Sequence, residues 1–381
     1  MGLIELNFPR FIVEMAEVQT LKQVRDIFKD KSITDFLDDA YSYSQSWGTR
    51  EQYKQVLYFF NRFCVSKYNK NLLEVVEGLW QKPLAEVLDV FLQFKRNMDA
   101  HINYRGNPMS NSTKRVYLST VKNFFRSRGI DIHHEDLRDH VKIGRRMRVQ
   151  KYALDHLTVY KIISQMRSFQ YKVLTILLAS TGMRVMEAIT LRSSDFYFDS
   201  YPVKVQLRPK ETKTNEGRTV FLTKECADMI EQLIKMSSES QRSLFGKASH
   251  RQIYQTYSKA VRKALRELGL YKILDNGENQ ITIHSFRSFF RTYAGHIVDR
   301  DFAESFIGHR FYLSEYHNMP EEERKKLFLK LEPHITFSHV KLQKKSTNPD
   351  VISLQQQVED LQNKIRMLGQ KFLTEENATV H

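Results

Sequence analysis

Along much of the chain, apolar residues recur three and four apart, the spacing that lines one face of a helix. In YKQVLYFFNRFCVSKY, residues 53–68, Tyr53, Val56, Leu57 and Phe60 share such a face. Thr49 followed by Gln52 predicts a capping box that opens this helix. A second helix is predicted over residues 113–128, started by Ser110 or Ser112 and stopped by Gly129. At about 100° per residue, its Tyr117, Val121, Phe124 and Phe125 fall opposite a stripe of Arg115, Lys122 and Arg126. The helical period gives way in VKVQLRP and GRTVFLT, which read as a strand pair joined by KETKTNE, with Lys210 and Lys213 on or near the turn. With only 14 Gly and 8 Pro in the whole chain, the expected fold class is mainly α with a small β-sheet.

Near the far end, Val351, Leu354, Val358, Leu361, Ile365, Leu368 and Phe372 alternate in steps of three and four. This pattern predicts a coiled-coil-like helix over 351–373 after the polar tether KLQKKSTNPD. Such a helix can self-associate, pair with another chain, or pack on its own domain.

Charge changes the picture from a helical protein to a helical protein with a polyanionic partner. The 381 residues, enough for two or three domains, carry a net charge of +15. By segment the nets are −3 for residues 1–45, +10 for 46–152 and +8 for 153–381. The middle segment is therefore the expected DNA clamp. Within it KIGRRMRVQK supplies Lys142, Arg145, Arg146 and Arg148, read as an interdomain linker lying on a phosphate backbone; a linker made basic for solubility is the alternative. The expected organisation is an N-terminal helical arm over 1–45, a helical DNA-binding domain over 46–141 and a basic linker over 142–152. A region over 153–345 that holds the strand pair, and the heptad helix over 351–373, complete it. The arm can dock on a neighbouring protomer or pack in cis.

Two distant cysteines, Cys64 and Cys226, exclude a disulfide framework and point to a reducing interior. The longest apolar run, VLTILLA from Val173, is far below the roughly 20 residues a membrane helix needs, and the acidic N-terminus does not read as a signal peptide. No Walker-type GxxxxGK[ST] and no two-metal carboxylate cluster is found.

The candidate chemistry begins in YKVLTILLASTGMRVMEAITLRSSDF, residues 171–196. An apolar helix ends at Gly182 and a second begins at once with Arg184 in its first turn; Glu187 can bond back to the backbone or hold a neighbouring cation. An ordinary corner with a surface arginine would read the same way. In ITIHSFRSFFRTYAGH, Thr282 is the expected N-cap, and His284 and Arg287 share one helical face, a cradle for phosphate. FIGHR then places His309 after a glycine, and Tyr316 follows in YLSEYHNMPEEE.

Arg184, Lys213, His284, Arg287, His309 and Tyr316, in that order and within TGMR, HxxR and GH motifs, resemble the tyrosine recombinase (integrase) family. The resemblance covers residues 153–340 and, more loosely, 45–140, and EYHNMPEEE looks most like archaeal and archaeal-virus integrases. Phe286 stands where the family's HxLR box has leucine. The resemblance implies a C-clamp of a core-binding domain and a catalytic domain that cuts and rejoins DNA through a 3′-phosphotyrosine, with no cofactor. Arg184, Arg287 and His309 would hold the scissile phosphate, His284 would donate or shuttle a proton, Lys213 would protonate the leaving oxygen and Tyr316 would attack. Lys210 is the reserve lysine, and Tyr312 the alternative nucleophile, because the His309-to-Tyr316 spacing is two residues shorter than the commonest bacterial pattern. Also implied are double-stranded DNA at paired sites, a tetramer on it, and a cytoplasmic, nucleoid-associated setting. A type IB topoisomerase-like relaxase and a catalytically decayed DNA-binding regulator are the competing readings.

Overall fold

The computed structural model describes residues 26–102, 106–145, 149–212, 215–237, 243–308 and 319–338. The chain divides into two compact units: one runs to Gln150 and takes in Ile273–Glu278, the other holds Lys151–Lys272 and the chain from Asn279 on.

The first unit contains helices α1 (Lys31–Ser44), α2 (Trp47–Tyr68), α3 (Leu72–Gly78), α4 (Leu84–Ala100), α5 (Asn111–Ser127) and α6 (His134–His140). Side chains that satisfy first-turn N–H groups fix several of the starts. Ser110 Oγ accepts from Thr113 N–H at 3.1 Å to open α5, and Gly129 follows its end at φ +79°. For α2 the start differs from the Thr49 box: Ser46 lies in extended backbone and its Oγ accepts from Thr49 N–H at 3.3 Å, which leaves Thr49 inside the first turn.

Val56, Leu57 and Phe60 of α2 pack with Phe91 and Phe94 of α4 and with Phe124 and Phe125 of α5 in one buried cluster. Rings meet edge-on, Phe60 with Phe94 at 4.9 Å and Phe91 with Phe125 at 5.0 Å, the arrangement that ring quadrupoles favour. Ile33, Phe36 and Leu37 of α1 enter the same cluster. The described part of the 1–45 segment thus packs in cis, one of the two arrangements that its sequence allows. Three apolar residues within about one turn give α1 the face that packs there.

The second unit contains α7 (His156–Gln165), α8 (Phe169–Thr181) and α9 (Val185–Ile189), then strands β1 (Phe196–Tyr197), β2 (Lys204–Leu207) and β3 (Arg218–Phe221). After the sheet come α10 (Lys224–Met236), α11 (His250–Glu267), α12 (His284–Ile297), α13 (Arg300–Phe306) and α14 (Glu321–Leu331). Helix α8 is buried without interruption from Val173 to Thr181, as a helix apolar on all sides must be, and α7, α9, α10 and α12 pack around it. The sheet is antiparallel in the order β1-β2-β3, with Val205 opposite Val220 and Leu207 opposite Arg218. The fold is therefore mainly helical with a small sheet, as its periodicity predicts.

Both cysteines are free and buried, and burial pushes the Cys226 thiol up to about 12, which leaves it protonated and unreactive. Among the described residues no helix is long and apolar enough to cross a membrane. The heptad segment 351–373 lies outside the described residues.

Candidate active site

The site starts from a turn that only glycine fits. Helix α8 ends at Gly182, whose φ of +64° lies in the left-handed region and whose N–H donates to the Leu178 carbonyl at 3.0 Å. A Cβ built there would lie 2.5 Å from Phe290 Cδ1 and 2.8 Å from Ile307 Cγ2. Two residues on, Arg184 is the N-cap of α9 in extended backbone, one position before the first turn that the sequence suggested.

Glu187 organises this corner. Its Oε2 accepts from the Arg184 backbone N–H at 2.9 Å and its Oε1 from Arg184 Nη1 at 2.8 Å. A second guanidinium reaches it from β3: Arg218 Nη2 donates to Oε2 at 2.7 Å, with Arg218 only 1% and Glu187 2% exposed. Burial would raise the Glu187 carboxyl, but the charge and hydrogen bonds of Arg218, with those of Arg184, reverse this and hold it below the ordinary carboxylate range.

Arg287, 5% exposed, comes from α12. Among the described residues its two hydrogen bonds go to backbone carbonyls and not to a carboxylate: Nη1 to Gly182 O and Nη2 to Ile307 O, each at 2.7 Å. Burial, and next the like charge of Arg184, push the guanidinium down to about 9, so it remains a cation at neutral pH and one that an anion would relieve. His284 lies one turn earlier and is exposed. Thr282 does not cap α12: Ile283 holds the cap position in helical backbone, and the Ser285 hydroxyl accepts from Thr282 N–H at 3.0 Å.

Arg184, His284 and Arg287 line one cavity of about 690 Å³, together with Tyr254 and Arg262 of α11 and Asn279. The chemistry of this wall is that of an anion site, with planar guanidinium donors and an imidazole around one space. Among the described residues no group of three His, Cys, Asp or Glu could hold a metal ion.

Of the other predicted residues, Lys210 is exposed in the short helical turn Pro209–Glu211 that joins β2 to β3. Lys213, His309, Tyr312 and Tyr316 lie outside the described residues, as do Arg146 and Arg148. Gly308, with φ +81°, is the described residue immediately before His309. On α5, Arg115 and Arg126 are exposed, Lys122 is half-buried, and Val121, Phe124 and Phe125 are buried on the other side. Arg115 has a local occupation: Nη2 donates to the carbonyl of Gly144 at 2.8 Å and reaches that of Ile143 at 3.4 Å, tying the start of the basic segment to α5. Lys142 lies 3.5 Å from Asp139, and the Arg145 carbonyl accepts from Asn111.

Arg218 is the site residue that sequence reasoning missed. The strand alternation held the signal, because RTVF puts Arg218 on the face of buried Val220, and an inward arginine demands an acid.

A helical unit, followed by a unit of helices around a small antiparallel sheet with two arginines and a histidine on one cavity, has the fold of the integrases and related recombinases. It is similar to a lambda integrase (75–356) dimer bound to a COC′ core site, with a TM-score of 0.52 at 13% identity over 76% of this chain and 97% of that one. A similar likeness holds for a lambda integrase tetramer bound to a Holliday junction, with a TM-score of 0.51 at 12% identity over 81% and 89%. The XerH site-specific recombinase bound to palindromic difH substrate gives 0.51 at 13% identity over 82% and 86%. Residues 153–312, a stretch that holds Arg184, His284 and Arg287, match the model of the phage integrase family. No curated protein matches the chain.

Proposed function

We propose that the protein is a site-specific DNA recombinase that cuts and rejoins strands through a covalent 3′-phosphotyrosine, without ATP or metal. The observation that carries this reading is Arg287, a buried guanidinium held by two carbonyls beside Arg184 and on one cavity with His284. Two cations held close together at a cost in desolvation fit a dianionic pentacoordinate phosphorus better than a singly charged diester, which is the differential binding that catalysis requires.

In the proposed step the Tyr316 oxygen bonds to phosphorus, the bond from phosphorus to the 5′ oxygen breaks, the phenol loses its proton and the departing oxygen gains one. A phenol has an ordinary pKa of about 10, so the neighbouring cations and a base, the proton-shuttle role proposed for His284, must favour phenolate as attack proceeds. Lys213, with Lys210 in reserve, gives the proton to the 5′ oxygen. In the return step a 5′-hydroxyl from another strand attacks the phosphotyrosine and releases the phenol. One phosphodiester is exchanged for another of similar energy, which removes the need for ATP.

Specificity would require paired sites and a tetramer on DNA, supported by the likeness to integrases solved as DNA-bound dimers and tetramers. Arg115, Lys122, Arg126, Lys142, Arg145, Arg146 and Arg148 would contact phosphates. The test is a pool of suicide duplexes, nicked and randomised across the core, incubated with the full chain and resolved under denaturing conditions. A protein–DNA adduct is expected, with the captured sequences converging on one site. Plasmid relaxation by the monomer without a preferred site would favour the topoisomerase reading, and the absence of any adduct would favour the decayed regulator.

A further inference from the structure

The carbonyls of Phe306 and Ile307, the last two residues before the Gly308–His309 step, each accept from a different buried arginine. Arg218 Nε donates to Phe306 O at 3.0 Å, and Arg287 Nη2 donates to Ile307 O at 2.7 Å. Arg287 belongs to the phosphate cradle, but Arg218 does not line the cavity. Its other edge is committed to Glu187, with Nη2 at 2.7 Å from Oε2 and Nη1 at 3.4 Å from Oε1, and Glu187 in turn holds both the backbone and the guanidinium of Arg184. A continuous chain of hydrogen bonds therefore runs from Arg184 through Glu187 and Arg218 to the turn at Phe306–Gly308.

The packing around Arg218 shows that its planar fork is built in. The side chain is 1% exposed, and Gly308 passes so close that a Cβ there would lie 2.7 Å from Nη1 and 2.8 Å from Cζ. An ion pair this deeply buried is rarely retained for stability alone, since an apolar pair of similar volume is often as stable. What an apolar pair could not do is fix a direction in space for two loops at once.

We propose that Arg218 is a positioning residue for strand cleavage, setting the Arg184 guanidinium and the Phe306–Gly308 turn to one register through Glu187 and the Phe306 carbonyl. The proposal rests on the recombinase reading above. Lysine in its place keeps the charge but carries its three donors on one nitrogen at the end of a flexible stem, and so lacks the rigid planar fork whose separate nitrogens reach the Phe306 carbonyl and the Glu187 carboxylate. Its effect should fall on the chemical step and not on DNA association, because Arg218 touches neither cavity nor surface.

The experiment uses the suicide duplex selected by the wild-type chain and compares wild type with Arg218→Lys in single-turnover adduct formation. Rates are expressed per folded molecule, with the folded fraction taken from the near-ultraviolet circular dichroism amplitude. The expected result is a rate at saturating duplex at least tenfold below wild type, with the half-saturating duplex concentration unchanged. A wild-type rate, a loss that vanishes on correction for folded protein, or a loss confined to half-saturation would each overturn the positioning role. If the wild-type chain itself forms no adduct, it is the recombinase reading that fails.

Discussion

Arg287 Nη1 donates to the carbonyl of Gly182 at 2.7 Å, joining two residues 105 positions apart in the chain. The bond exists because Gly182 turns the backbone in the left-handed region, and the same turn sends Arg184 into the cavity that Arg287 lines. Geometry at the glycine and geometry at the two guanidiniums are therefore one quantity.

Gly182→Ala should disturb both. Alanine at φ +64° is strained, and its methyl would meet Phe290 and Ile307, so a loss of at least about 2 kcal/mol is expected in urea unfolding. Adduct formation should fall further than the folded fraction does. Unchanged stability would contradict the fit described for this turn.

Glu187→Gln strands the buried Arg218 beside a neutral amide. Removing one partner of a buried pair costs about 3–5 kcal/mol, which should appear in denaturant unfolding at neutral pH. The sign with pH follows from the lowered carboxyl: its stabilising contribution is present above the unfolded value, near 4.5, and is lost as pH falls through the still lower folded value. Wild type should therefore lose stability more steeply than the variant in that acid range, and parallel curves would refute the assignment.

His156 carries a second, milder pH dependence. Its ring packs edge-on against Tyr293 at 4.5 Å and Phe289 at 5.1 Å, contacts the His334 carbonyl, and is pushed below its ordinary 6.5 by burial first of all. A histidine with a depressed folded value contributes stability above 6.5 that declines as pH falls through the folded value. The thermal midpoint should fall across this range in wild type and stay flatter in His156→Phe.

How much of this was legible beforehand varied with the range of the interaction. The inward faces of α2 and α5, the Ser110 start and the turn at Gly182 are local, and three- and four-residue periodicity or one glycine suffices to mark them. The Ser46 start is not legible because Thr49 and Gln52 satisfy the same short pattern, and only the backbone conformation decides between them. The cis packing of α1 depends on where its three apolar residues find a partner. Strand β1, two residues long, has no period to read. Arg218 and Glu187 are 31 positions apart, and no local rule pairs them.

The basic stripe on α5 makes its own prediction. Lys122→Ala and Arg126→Ala together should reduce the slope of log affinity against log salt by about 2 for a long duplex, since each phosphate contact contributes roughly 0.9. Arg126, 72% exposed and 3.8 Å from Asp131, is available for such a contact. An unchanged slope would place the DNA on another face.

The covalent bond to DNA is assigned to the Tyr316 oxygen. The DNA adduct should be digested with nuclease and trypsin, and the peptide FYLSEYHNMPEEER, residues 311–324, sequenced by tandem mass spectrometry. A 3′-linked nucleotide on Tyr316 is expected. The same mass on Tyr312 would move the nucleophile within the peptide, and an unmodified peptide from a genuine adduct would contradict the mechanism.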